Sequence, residues 1–224
     1  ALRLPLAKAR TARDQLTTPA PGHRTWRSLE SAPPLDESHP RPVADDVALL
    51  LYTSGTTGTP KGVPLTHRNL VSDVVQGRAW VPGLVEGEEV FLLALPLFHA
   101  YGVTVGMLLG VDLAATLVLL PKPELGLLMD AIARRVPSFV PAVPPLYERI
   151  VAEAQRRGVS IHGIRYALSG AMPLPADLVA RWEAATGGLL VEGYGLTETS
   201  PVVVGNPMTT DRRPGSIGVP FPNV

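Results

Sequence analysis

From Val47 onward, short apolar runs alternate with longer stretches in which apolar residues recur every three or four positions. Short runs rich in valine and leucine read as strands, and the 3.6-residue recurrence reads as amphipathic helix. The predicted strands are Val47–Tyr52, Val90–Leu95, Ala115–Leu120, Ser138–Val140, Tyr166–Ser169 and Leu189–Glu192, with Val47–Leu51 expected to be buried. The predicted helices are 67–80, Leu125–Val136, Pro145–Arg157 and Pro175–Thr186. Thr66 is placed to cap the first, which carries Leu70, Val71, Val74 and Val75 on one face; Gly158 and Gly187 stand where the last two should stop. This alternation predicts an α/β fold, a mostly parallel sheet covered by helices. Ligands in such sheets bind at the carboxyl ends of strands. The apolar stretch Phe91–Leu120 is long enough to raise the question of a membrane span. Pro96, His99 and Asp112 interrupt it, and a mid-span charge is costly. It therefore reads as strand, pocket segment, buried helix, strand. Residues 1–43 are rich in proline, threonine and charge with little periodicity; they read as a loop-rich lead-in, pinned by Trp26 and Leu29, to a unit spanning 44–224.

The chemistry concentrates where strands end. Directly after Val47–Leu51 comes Tyr52-Thr-Ser-Gly-Thr-Thr-Gly-Thr-Pro-Lys-Gly62. Glycines let backbone N–H groups turn toward an anion, hydroxyls add donors and Lys61 adds a positive charge, which together make a phosphate cradle. The spacing is not that of a Walker A loop, because Gly62 follows Lys61 where serine or threonine is required. Nor is Gly193-Tyr-Gly195 a dinucleotide fingerprint, since Glu198 occupies the third glycine position.

Composition narrows the classes. The chain has 224 residues, 46% hydrophobic, enough for one large domain with a substantial core. Net charge is zero and no basic stripe is interleaved with aromatics, which argues against a nucleic-acid partner. Cysteine is absent, so disulfides and thiol nucleophiles are excluded, in keeping with a cytoplasmic location. No signal-peptide layout is present at the N-terminus. The histidines at 23, 39, 67 and 162 show no metal-ligand spacing, and there is no Gly-x-Ser-x-Gly elbow, so zinc chemistry and serine hydrolysis are unsupported.

The glycine- and hydroxyl-rich loop resembles the phosphate-binding motif of the adenylate-forming superfamily: acyl-CoA synthetases, luciferases and peptide-synthetase adenylation domains. Four further segments agree with that family in order: Pro96-Leu-Phe-His-Ala-Tyr-Gly102, Ser169-Gly-Ala-Met-Pro173, Glu192-Gly-Tyr-Gly-Leu-Thr-Glu-Thr199 and Arg213-Pro-Gly-Ser-Ile-Gly-Val-Pro220. The wording is most like that of long-chain fatty acyl-CoA ligases, and the resemblance covers residues 43–224. It implies part of the large N-terminal domain of such an enzyme; the ribose-binding aspartate motif, the hinge and the small C-terminal domain with its lysine are expected to be missing, so this chain alone is expected to be impaired or inactive.

The implied reaction uses ATP, Mg²⁺ and coenzyme A, with a fatty acid as substrate. In one alternative the acyl group passes to a carrier protein; in another the chain is a non-catalytic nucleotide- or acyl-binding module. The resemblance implies that Thr53, Ser54, Gly55, Thr56, Thr57, Gly58, Thr59 and Lys61 hold phosphates. Glu198 would ligate Mg²⁺, a hard cation suited to carboxylate oxygen, with Thr53 as a second ligand and Thr197 at the α-phosphate. Tyr194 would stack on adenine between Gly193 and Gly195, after Glu192, with Gly170 and Ala171 on the base's other side. His99 would stand beside the reacting carboxylate, unless it is a satisfied buried histidine. Phe98, Tyr101, Gly102, Val103, Met107, Val143, Pro144 and Leu146 are the candidate acyl-pocket lining. Oligomerisation and loose contact with a membrane surface are left open.

Overall fold

The computed structural model describes Gly22, Arg24 and residues 26–34, 38–54, 58–120 and 122–224. It divides into two units, Ala1–Pro42 and Val43–Val224. In the first, the described residues include one short helix, α1 (Trp26–Glu30), and Leu29 is exposed rather than pinned. The side chain of Trp26 lies outside the described residues.

The second unit opens with two strands that stand apart from the main sheet. β1 (Val47–Thr53) and β2 (Lys61–Thr66) pair antiparallel, with Thr53 opposite Lys61. This corrects the expectation of a buried strand: Val47, Leu50 and Tyr52 are exposed, because a two-stranded ribbon leaves much of both faces uncovered. Thr66 does cap α2 (His67–Trp80), accepting a hydrogen bond from the Asn69 N–H at 3.2 Å. On that helix Leu70 and Val74 are buried, whereas Val71 and Val75 are exposed.

The remaining elements follow the predicted alternation. They are β3 (Val90–Leu93), a π-helical segment Gly102–Leu108 running into α3 (Leu109–Asp112), β4 (Thr116–Leu119), α4 (Leu125–Arg134), β5 (Phe139–Ala142), α5 (Pro144–Arg157), β6 (Tyr166–Ser169), α6 (Ala176–Thr186), β7 (Leu189–Gly195), β8 (Val202–Gly205) and β9 (Val219–Pro220). The sheet order is β4-β3-β5-β6-β7-β8-β9, parallel from β4 through β7 and antiparallel at the last two pairings. Gly158 and Gly187 end α5 and α6 in the left-handed conformation, with φ of 65° and 73°. Phe91–Leu120 folds as strand, helical segment and strand, and Asp112 pairs with Arg78 at 3.2 Å. Among the described residues no helix is long and apolar enough to cross a membrane.

Period-two alternation gives the sheet two cores. Leu92, Val140, Ala167 and Leu190 join α4, α5 and α6 on one face, around fully buried Trp182 and Tyr147. Phe91, Phe139, Leu168 and Val191 join α2 and the π segment on the other. At the amino-terminal edge, Glu89, Ser138 and Arg165 each precede a strand. Burial raises the Glu89 pKa, but hydrogen bonds from Arg165 and Ser138 outweigh it and hold the carboxyl below its usual range.

Two tyrosines tie the core to the opposite edge. The Tyr147 hydroxyl donates to the carbonyls of Val140 (2.8 Å) and Leu168 (2.6 Å), and Tyr101 donates to the same Leu168 carbonyl. Burial pushes both hydroxyls' pKa upward, so they remain donors. Tyr147→Phe should cost about 1–2 kcal/mol, since the strand carbonyls lose a donor but keep other partners. Thermal unfolding should shift down by a few degrees, about 2–4 °C per kcal/mol for a chain of this size; an unchanged midpoint would show those hydrogen bonds to be energetically idle.

Candidate nucleotide and acyl site

The carboxyl ends of β6 and β7 open on a cavity of about 500 Å³, within the range of small-molecule sites. Its floor is built by close backbone approach. The Leu196 N–H donates to the Pro201 carbonyl at 3.0 Å, and Thr199 Oγ hydrogen-bonds both Leu196 and Pro201. A β-carbon on Gly195 would meet the Pro201 carbonyl oxygen at 1.8 Å, so only glycine lets β7 turn into the 3₁₀ turn Thr197–Thr199 and back along β8. Two residues beside the cavity hold left-handed backbone, Ala171 at φ 64° and Ser200 at φ 78°. Such strain gathers where a surrounding structure over-determines a functional turn.

From the glycine-rich loop, Thr53 and Ser54 line the cavity. Gly55, Thr56 and Thr57 lie outside the described residues. Gly58, Thr59 and Lys61 are exposed and stand outside the cavity wall, Lys61 being the first residue of β2. That strand packs beside the Thr197–Thr199 turn. Gly170 and Ala171 line the cavity, as do Gly193, Tyr194, Gly195, Thr197 and Glu198. Glu192 does not. It is buried, its carboxylate accepts from the Leu174 N–H at 3.2 Å, and it lines a separate small hollow with Asn206 and Arg212. Burial raises its pKa, offset in part by that N–H. Held by the Leu174 backbone and facing the hollow near Asn206, Glu192 acts on the fold from outside the cavity.

His99 is exposed at the cavity wall, which disposes of the alternative of a satisfied buried histidine. A β-carbon on Gly102 would meet the Pro96 carbonyl oxygen at 2.1 Å, and this tight return of 96–102 places the imidazole. The Tyr101 N–H donates to His99 Nδ1 at 3.1 Å. With Nδ1 accepting, the neutral ring carries its proton on Nε2. His99 thus offers a hydrogen-bond donor to a ligand oxygen.

The acyl-lining expectations divide. Tyr101 lines the cavity. Val103 and Met107 face an outer groove beside α2 instead, Leu146 packs into the core on the opposite sheet face, and Phe98 is 82% exposed. Leu168, Ser169, Leu196, Pro201 and Val202 complete the wall; only Ser169 and Leu196 lay inside a motif recognisable from sequence. Among the described residues no three His, Cys, Asp or Glu side chains cluster to hold a metal. The donors in the cavity, one carboxylate at Glu198 and the Thr53 hydroxyl, are the sparse hard-oxygen set that suits Mg²⁺ bound together with phosphates and waters.

The family model for AMP-binding enzymes matches residues 4–224. A long-chain-fatty-acid–CoA ligase of Bacillus subtilis is 37% identical over 195 residues, covering 87% of this chain and 34% of that protein. The chain therefore spans about a third of the length of the curated relatives it matches. Among solved structures, ATP-bound MatB from Rhodopseudomonas palustris superimposes with TM-score 0.69 at 32% identity, over 80% of this chain and 35% of that one. A benzoate CoA ligase from Burkholderia xenovorans LB400 reaches TM-score 0.75 at 25% identity, over 88% of this chain and 39% of that one. The chain belongs to the AMP-binding enzyme family, the adenylate-forming group that includes the acyl-CoA ligases.

Proposed function

We propose that this chain forms the adenylate site of an AMP-forming fatty acyl-CoA synthetase. The observation that carries the reading is the convergence on one cavity of Thr53 and Ser54, His99, the Gly170–Ala171 turn, and Tyr194 through Glu198. These come from four separate segments of the chain.

In the first half-reaction a fatty-acid carboxylate oxygen attacks the α-phosphorus of ATP. The bond from that phosphorus to the bridging oxygen breaks, and pyrophosphate leaves with the electron pair. A carboxylate is already nucleophilic at neutral pH, so the protein's work is alignment and charge neutralisation. Tyr194 offers a ring face to adenine, and Gly193 and Gly195 let the base approach the backbone. Thr197 donates toward the α-phosphate. Thr53, Ser54, Gly58, Thr59 and Lys61, with the intervening Gly55, Thr56 and Thr57, hold the departing pyrophosphate. The Nε2–H of His99 orients the carboxylate. Glu198, with Thr53, would hold Mg²⁺, which neutralises phosphate charge when bound. In the second half-reaction the sulfur of coenzyme A attacks the acyl carbonyl carbon, AMP departs and the thiol proton is released. A long-chain acid is favoured by the name of the Bacillus subtilis relative and by the apolar wall of Tyr101, Leu168 and Val202.

The test is exchange of labelled pyrophosphate into ATP by a full-length version of the protein. The rate should depend on added fatty acid, and Lys61→Ala and Glu198→Ala should each lower it about tenfold, the order expected for one charge-assisted contact at an exposed position. Far-ultraviolet circular dichroism should be unchanged in both. Wild-type rates in either variant would remove that residue from the site, and exchange indifferent to fatty acid would reject the acyl substrate.

A further inference from the structure

Behind the inner wall of the candidate site lies a second, smaller cavity. Leu168 and Val202 line both. The inner cavity has about 20 Å³ of room, enough for a single water molecule or one terminal group of a ligand. Its lining comes from α2, the π segment, β5, β6 and β8, and it is apolar except at Asp73, Thr104 and the Trp80 indole N–H. That N–H is already given to the Asn206 carbonyl at 2.8 Å. The Trp80 ring stacks on Phe221 with centroids 4.5 Å apart.

Asp73 and Thr104 are different. Asp73 is 4% exposed and Thr104 fully buried. One carboxyl oxygen of Asp73 and the hydroxyl of Thr104 have no hydrogen-bond partner in the protein. Buried polar atoms are nearly always paired, and an orphan calls for an explanation. Here two orphans, contributed by two elements, line one cavity. Thr104 also lies in the π-helical stretch Gly102–Leu108, a local widening of helix that recurs at functional sites. Burial pushes the Asp73 carboxyl up to about 7, against a weaker downward pull from the backbone of Val202. Near neutrality a large share of it is therefore protonated, able both to donate and to accept, as a threonine hydroxyl can.

We infer that Asp73 and Thr104 form the far end of the acyl site and select an acid whose tail ends in a hydroxyl or amide over the all-methylene acid of equal length. The inference rests on the adenylate reading above: with the carboxylate at His99, a tail running inward past Leu168 and Val202 meets this pair. A terminal hydroxyl would satisfy both orphan atoms. A terminal methyl would leave them unpaired and displace any water that served them.

The experiment is calorimetric titration of this chain with two series of acyl-sulfamoyl adenosines, matched in length from short to long, one methyl-ended and one hydroxyl-ended. At the length that reaches the pair, the hydroxyl-ended analogue should bind about tenfold more tightly. Thr104→Val, which keeps the shape, should erase most of that preference while leaving the shortest analogues unaffected. Asp73→Asn provides a second variant that alters the pair without emptying the space. Equal or tighter binding of the methyl-ended analogue at every length overturns the inference and leaves the adenylate site standing. Failure of the folded chain to bind any analogue overturns both. A crystal structure of a bound methyl-ended analogue in which a water still bridges Asp73 and Thr104 would also overturn the inference.

Discussion

Alanine at position 195 should abolish binding of an acyl-adenylate analogue. The added carbon would lie 1.8 Å from the Pro201 carbonyl oxygen, 2.6 Å from its carbon and 3.0 Å from the Val202 Cα. All three are backbone atoms, so no side-chain rotation relieves the clash. The strand and its return must separate, which disrupts the Leu196–Pro201 hydrogen bond and moves Thr197 and Glu198 away from Gly170 and Ala171. Overpacking that cannot relax costs about 3 kcal/mol or more, and the loss of a preorganised floor should reduce affinity at least about hundredfold. Calorimetry and urea unfolding on the same preparation check both halves. An alanine variant that binds within a factor of about three of the parent would show that the close approach does not shape the site.

The second large effect is a pH dependence carried by Asp73. Its folded-state pKa of about 7 lies above the ordinary value of 3.8, chiefly because burial penalises the charged form. Between those values the folded chain holds a proton that the unfolded chain has lost. Stability therefore falls as pH rises through that window and levels off above it. The whole drop is of order 4 kcal/mol. In Asp73→Asn this slope should vanish, and the variant should be the more stable protein at pH 8 even if it is slightly weaker at pH 4. Urea midpoints across the pH range decide the matter; parallel curves for parent and variant would mean that the Asp73 carboxyl is hydrated and titrates normally.

Asp73 also shows what a sequence conceals. On a helix, an aspartate flanked by serine and valine reads as one more solvated position, and only the packing of distant elements, the π segment and β8 among them, buries it. The same dependence on distant pairing explains β1 and β2. Val47–Leu51 is a continuous apolar run, which looks like a strand buried on both faces, yet its partner is Lys61–Thr66 alone. Lys61-Gly-Val-Pro64 has the composition of a loop, and it becomes a strand because Tyr52 and Thr53 stand opposite Gly62 and Lys61. By contrast, the helices over 67–80 and after Pro175 were legible because their signals are local: Thr66 at the cap and Gly187 in the left-handed position at the stop.

The site divides along the same line. Thr53, Ser54, Gly170, Ala171 and the Gly193–Glu198 stretch could be picked out because glycines and hydroxyls follow apolar runs at the ends of strands. Leu168, Pro201 and Val202 could not, since nothing local distinguishes a wall residue from a core residue. Glu192 belongs to the motif by position, but its carboxylate is taken up by the Leu174 backbone N–H and a separate hollow, a partner 18 residues upstream that no local signal announces.

The most direct measurement of the central claim is a crystal structure of this chain with a saturated acyl-sulfamoyl adenosine. The account predicts the adenine on Tyr194 between the Gly170–Ala171 turn and β7, the sulfamoyl group beside Thr197, and the acyl carbonyl within hydrogen-bond reach of His99 Nε2. The analogue found elsewhere, or a well-folded chain whose cavity stays empty at saturating analogue, would contradict it.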